Sequence, residues 1–247
     1  MKRLFSVAKN LLFPPRCGGC HTFLPPTQTG DGAVFCPECE KEWRAELCLQ
    51  CPTCFAAYPE CRCQPGLLAR AGSVGLLKLA PYGDTARERV VRRIVLDMKK
   101  SPRRRVTALL ARELGAELLK ELEKLGWERE HVVLTHLPRD TRSVRRLGTD
   151  QAQVLALALA RETQLCCRPL LYRTKHVKTQ KKLSAKERER NLRDVFAVRE
   201  MPKGCCVVLV DDVVTTGASM SAAVRALRAA GIRDVLCVGV AQTPKKH

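Results

Sequence analysis

Aromatic residues are scarce: Phe, Trp and Tyr make up 4% of the 247 residues. That leaves little from which to build an extended platform for stacking the bases of a single strand. No apolar run approaches the ~18 residues that a membrane-crossing helix needs. The dipeptide Gly-Lys never occurs, which excludes a P-loop and with it the usual partner of an acid-terminated Walker B strand. Acidic residues are outnumbered, 25 Asp and Glu against 44 Lys and Arg, for a formal charge of +19. A balance this basic points to a polyanionic partner: nucleic acid, a phosphorylated metabolite or an acidic protein. A surface kept basic for solubility is the plainer alternative. The opening MKRLFSVAKNLLFPPRC lacks a small-residue cleavage site, and Lys9 and Asn10 interrupt its apolar residues. It is expected to be an amphipathic leader of a cytoplasmic protein rather than a signal peptide.

Cysteine, by contrast, is plentiful: 14 in all, nine of them at or before Cys63. Cys17-x-x-Cys20 and Cys36-x-x-Cys39 form one set; Cys51-x-x-Cys54 and Cys61-x-Cys63 form a second. A two-residue gap lets both thiolates of a knuckle point at one tetrahedral metal, and Gly18 and Gly19 relax the first turn. One or two structural zinc ions are expected, held entirely by sulfur and so without an open position for catalysis. Disulfides and an iron–sulfur cluster are the competing readings. Cys48 is left over. Cys166, Cys167, Cys205, Cys206 and Cys237 lie in apolar contexts and read as buried small residues.

The composition changes after Cys63. QPGLLARAGSVG reads as a connector, dividing a Cys-rich domain at 1–66 from a second domain at 67–247. Apolar residues at Val90, Val91, Ile94, Val95 and Met98 have helical spacing, and Pro102 ends that run. A second amphipathic helix spans 106–125, before Gly126. HVVLTHLP reads as a short buried strand, 149–163 as an Ala/Leu-rich helix, and 169–172 as a short strand. The very basic stretch 173–193 reads as a loop with a short helix near 184–190. Val207 to Val210 is a continuous apolar strand, 219–230 a helix stopped by Gly231, and 234–241 a last strand. Strand, helix, strand in this order predicts an α/β fold with a parallel sheet flanked by helices.

VVLVDDVVTTGAS carries the chemistry. Parallel sheets bind ligands at the carboxyl ends of their strands, where Asp211 and Asp212 fall. The segment Thr215, Thr216, Gly217, Ala218, Ser219 then opens a helix. Its free amides and hydroxyls suit a phosphate, and Gly217 permits close approach. The two carboxylates repel that phosphate, so they are expected to hold something neutral or cationic attached to it. Ribose hydroxyls fit, because an ionised carboxylate only accepts hydrogen bonds. A magnesium-bound pyrophosphate nearby also fits. A plain strand–turn–helix with a capping side chain is the structural alternative.

This string resembles the phosphoribosyl pyrophosphate (PRPP) motif of type I phosphoribosyltransferases. The wider chain resembles the ComF family, associated with natural competence, over nearly its whole length. The likeness includes LFPPRCGGC with the later Cys pairs, RIVLDMKKSPRRR, THLPRDTRSVRRLGTDQA and TQKKLSAKERERNL. THLP stands where the family has VPVP, and GTDQ where it has GFNQ. The resemblance implies a type I phosphoribosyltransferase-like fold behind an N-terminal zinc-binding domain. It implies that Asp211 and Asp212 contact ribose and that Val213 and 215–219 border the 5′-phosphate. Thr135 to Pro138, including Leu137 and Pro138, would form the pyrophosphate loop, with Arg139 neutralising the leaving group and magnesium arriving with PRPP. The basic stretch 173–193 falls at the position of a flexible hood. A role in DNA uptake is implied, with single-stranded DNA and a competence helicase as candidate partners. Turnover of PRPP and mere sensing of it both remain open.

Overall fold

The computed structural model describes residues 14–24, 33–83, 90–100, 104–140, 144–145, 148–174, 195–200 and 204–244. Residues 1–13 of the expected leader, the break at Pro102 and nearly all of the hood lie outside these residues. Among the described residues, no helix is long and apolar enough to cross a membrane.

In chain order the elements are α1 (Pro37–Leu47), α2 (Gly66–Ala71), β1 (Gly75–Leu77), β2 (Ala80–Pro81), α3 (Val90–Lys100), α4 (Arg104–Leu125), β3 (Val132–His136), α5 (Gln151–Thr163), β4 (Cys166–Cys167), β5 (Leu171–Arg173), β6 (Phe196–Val198), β7 (Cys206–Val214), α6 (Ala218–Ala229) and β8 (Val235–Gln242). The main sheet runs β1-β8-β7-β3-β4, with β2 continuing along β8. Every pairing in it is parallel. The apolar strands Val132–His136 and Val235–Gln242 are buried almost throughout, as a sheet covered on both faces requires.

The connections divide at the centre. From β3 the chain passes through α5 to β4 on one side; from β7 it passes through α6 to β8 on the other. Right-handed crossovers then put α5 and α6 on opposite faces. Their cores agree: Leu155, Ala156 and Leu159 pack with Leu134 and Val208, whereas Met220, Ala223 and Leu227 pack with Leu209 and Cys237. The crevice between the carboxyl ends of β3 and β7 is therefore a topological switch point, the place where open α/β sheets take ligands.

The Cys-rich segment shares the first of these cores. Cys17, Leu24, Phe35, Cys39 and Trp43 are buried in one cluster with Ile94, Leu110 and Leu114. Glu46 of α1 accepts from the first amides of α3, Val90 N at 2.6 Å and Val91 N at 3.3 Å. A carboxylate at a helix N-terminus satisfies otherwise orphaned donors there.

Four expectations need correction. The connector is partly helical: GLLARA forms α2, because Leu68 and Ala71 have an apolar partner in α6. Strand β7 does not stop at Val210 but runs to Val214, since β8 pairs with Asp211, Val213 and Val214. The short strand near 169–172 is β5, paired antiparallel with β6 outside the main sheet. Finally, Cys166 is exposed and Cys167 and Cys206 are half-buried, because β4 is a two-residue edge strand and Cys206 begins β7; Cys205 and Cys237 are buried as expected.

Candidate active site and metal centres

Each cysteine set closes on itself. Cys17, Cys20, Cys36 and Cys39 bring their sulfurs within 4.8 Å of one another, and so do Cys51, Cys54, Cys61 and Cys63. Cys48 belongs to neither group. At the first knuckle a side chain on Gly19 would strike Cys39 Sγ at 2.8 Å, so only glycine fits. Backbone amides of Gly19 and Cys36 point at Cys17 Sγ, at 3.4 and 3.3 Å. In the second group the Cys63 amide lies 3.3 Å from Cys61 Sγ.

The thiols respond as crowded anions do. Burial works to raise Cys20 and Cys51, but hydrogen bonds from Thr22, Cys17 and Cys36 to the former, and from Thr53, Cys54 and Cys61 to the latter, outweigh it and bring each down to about 6. Their neighbours move the other way: burial, with hydrogen bonding to Glu38 and Cys20, pushes Cys36 up to about 11, and burial with the adjacent sulfurs pushes Cys63 up to about 12. Four sulfurs this close cannot share negative charge without a cation, and tetrahedral zinc is the cation that four thiolates at this spacing suit. Such an ion supplies folding energy.

A lysine absent from the sequence-based site completes the second group. Lys78, fully buried between β1 and β2, reaches Cys63 O at 2.7 Å, Cys61 Sγ at 3.0 Å, Cys61 O at 3.2 Å and Leu76 O at 3.3 Å. The only available signal was a lone charge inside the apolar run GLLKLAP.

At the switch point, Asp211 and Asp212 lie near the carboxyl end of β7. Asp212 is buried, takes the amide of Val213 at 2.8 Å and lies 3.3 Å from Arg139 Nη2. Asp211 accepts the Asp212 amide at 2.8 Å. Desolvation, and next to it the charge of Asp212, hold the Asp211 carboxyl well above the usual carboxylate range. Arg139 thus sits against the acids across the crevice, on the loop that leaves β3. That loop extends the sheet pairing through Leu137 N to Val210 O, 2.9 Å. It is then tied down by Asp150, whose carboxylate takes Arg139 N at 3.0 Å while capping α5 through Ala152 N at 3.1 Å. Asp150 escaped the sequence reading as a loop anchor, although its place before an Ala/Leu-rich helix marks it as a cap. Pro138 is half-buried beside this loop, its carbonyl 3.5 Å from Arg173 Nη1.

His136, one of the departures from the pattern that the sequence resembles, ends β3 almost fully buried. Desolvation lowers its pKa against the opposing pull of Asp150, so it is a neutral imidazole near pH 7.

After β7, Thr215, Thr216 and Gly217 turn the chain into α6. Thr215 is exposed and Thr216 and Ser219 are half-exposed, while Gly217 and Ala218 are buried. Gly217 has φ 74° and caps the helix. A Cβ there would also meet the Pro65 ring at 3.1 Å, so the backbone of this loop lies directly on the segment leaving the second cysteine group.

Residues 152–247 match the family described as phosphoribosyl transferase domain. Competence protein F of Haemophilus influenzae is 35% identical over 102 residues, 39% of this chain and 44% of that protein, so the match spans less than half of that relative's length. DNA utilization protein YhgH of Salmonella typhimurium is 29% identical over 85% of this chain and 89% of its own length. Among solved structures, TT1426 from Thermus thermophilus is 24% identical, covering 56% of this chain and 85% of that one, with a TM-score of 0.32. The chain thus joins two four-cysteine groups to a phosphoribosyl transferase domain with a parallel sheet flanked by helices, and its relatives are named for competence and DNA utilization, as the resemblance to the ComF family implies.

Proposed function

We propose that this protein binds PRPP at the crevice between β3 and β7. The observation that supports it most is the order of groups at the carboxyl ends of β3 and β7: Arg139, then the acidic pair, then a glycine-capped helix start at which the Ala218 amide lies 3.4 Å from the Thr216 hydroxyl. The 5′-phosphate would take the 215–219 loop, and the ribose hydroxyls would face Asp211 and Asp212. Pyrophosphate would lie toward the Leu137–Arg139 loop. Magnesium suits that end, because hard cations take phosphate oxygens and a carboxylate or two. In a transfer reaction the bond from C1 to pyrophosphate breaks and a bond from C1 to an acceptor nitrogen forms. Arg139 would leave Asp212 to meet the departing charge, a role of electrostatic stabilisation rather than covalent catalysis.

Titration calorimetry with PRPP and magnesium tests binding; a heat that saturates at one ligand per chain is expected, and none at millimolar PRPP would end this reading. Release of pyrophosphate across candidate bases then separates an enzyme from a PRPP sensor.

A role in handling single-stranded DNA during uptake has its own support. Each cysteine group carries an exposed aromatic: Phe55 at 72% exposure in the second, and Phe23 at 57% in the first, with the Arg16 guanidinium 4.2 Å from its ring centroid. Base stacking on such rings is worth about 1–3 kcal/mol each. Phe23→Ala with Phe55→Ala should weaken single-strand binding, and affinity should fall steeply with salt.

A further inference from the structure

Between the second cysteine group and the phosphate loop the chain is short and continuously held. Cys63 is two residues from Pro65, and Pro65 is the residue on which Gly217 rests, at 3.1 and 3.2 Å from a Cβ built there. Pro65 also starts α2, taking the Leu68 amide at 2.9 Å. From α2, the Leu67 carbonyl accepts Ser221 Oγ at 2.6 Å, and Leu68 packs in one core with Met220 and Val224 of α6. Arg228, at the far end of α6, donates to Gly72 O at 3.2 Å. Both ends of the segment are thus fastened to the helix that the phosphate loop opens. At its origin, Lys78 holds Cys61 by sulfur and carbonyl and Cys63 by carbonyl, and Lys78 itself belongs to the sheet edge: the next amide, Leu79 N, bonds Val240 O of β8 at 3.0 Å.

A fully buried ammonium needs a compensating charge. Its other acceptors are neutral carbonyls, so the anionic partner it touches is the Cys61 sulfur. A zinc held by four thiolates carries two net negative charges, and an ammonium against one sulfur offsets part of them while fixing that ligand's position.

We infer that the second cysteine group, with Lys78 as its positioning residue, is the buttress of the phosphate loop: metal held there sets residues 61–68, and these set the backbone of 215–221. The inference rests on the reading of 215–219 as the phosphate-binding loop. Among the described residues, the first cysteine group has no such path. It packs on α3 and α4, with Arg93 at 3.8 Å from Cys39 Sγ.

Hydrogen–deuterium exchange on the zinc-loaded full chain tests this. Lys78→Met should weaken retention of one zinc of two against a chelator, by about tenfold or more. Deuterium uptake should rise in peptides covering 61–68 and also 214–221, while 36–47 stays unchanged. Cys54→Ser and Cys20→Ser, both at exposed ligands of the second and first group, give the same comparison if Lys78→Met fails to fold. Cys54→Ser should loosen 214–221; Cys20→Ser should not. Unchanged exchange at 214–221 after loss of the second zinc overturns the inference, as does an equal rise after loss of the first. PRPP titration of the unmodified protein runs in parallel. A loop that responds to zinc in a protein that binds no PRPP would sink the ligand reading and leave the buttress standing.

Discussion

The two cysteine groups use the same ligands to different ends. The first lies inside the larger core: Cys17 and Cys39 are buried beside Phe35, Trp43 and Val90, and its knuckle requires Gly19. The second lies at the sheet edge, held by a buried lysine and leading within two residues to the loop of the candidate site. Ligand chemistry alone makes them equivalent. What separates them is where the chain goes next, into a helical core in one case and beneath the proposed phosphate loop in the other.

The largest expected effect comes from breaking the first group. Zinc binding in small four-ligand domains is worth about 10–16 kcal/mol. Cys39→Ser should therefore lower zinc content from two ions to one and unfold the helical half cooperatively, seen as an early transition in thermal circular dichroism. If Cys39→Ser and Cys54→Ser shift melting equally, the distinction between a core-bearing and a loop-bearing group fails.

Next in size is the loop contact itself. Gly217→Ala forces a left-handed φ on a residue with a Cβ and presses it on Pro65, a strain of about 1–3 kcal/mol. Urea denaturation should show that loss, and phosphate affinity should fall with it.

A smaller effect is expected from pH. The Asp211 carboxyl is raised in the folded protein, so its contribution to stability is fully present below the ordinary carboxyl range, about 3.9, and is lost as pH rises through the raised value. Asp211→Asn should flatten the fall in melting temperature between acid and neutral pH. A parallel fall in both proteins would show that the carboxyl is not held protonated. The smallest effect belongs to the surface of α1. Arg44 and Glu40 pair at 2.9 Å in the open, and Arg44→Ala should change stability by less than about 0.5 kcal/mol.

Much of the fold is legible in the sequence because its signals are long. The strands around Val133, Val208 and Val238 are continuous apolar runs, and the helices near Ile94, Leu114 and Leu155 keep their period over several turns. The cysteine pairs and the acid-to-glycine loop are readable for a similar reason: their chemistry is local. What stayed hidden is either short or distant. β1, β2 and β4 are two or three residues each, too brief for a periodic signal. α2 sits between Pro65 and Gly72 and has connector composition; it becomes a helix through packing against α6. Lys78 is explained by cysteines 17 and 15 residues away, and Gly217 by a proline far earlier in the chain. Such contacts exist only once the sheet has formed.

The claim that matters most is that the crevice recognises ribose as well as phosphate, and calorimetry on Asp212→Asn and Thr216→Val tests it most directly. Losing a charged hydrogen bond costs roughly 1.5–3 kcal/mol, so Asp212→Asn should weaken PRPP by roughly ten- to a hundredfold and leave inorganic phosphate unweakened. Thr216→Val, which removes a hydroxyl of the proposed phosphate loop, should weaken both ligands. Equal losses of PRPP and phosphate in both variants would contradict the ribose assignment.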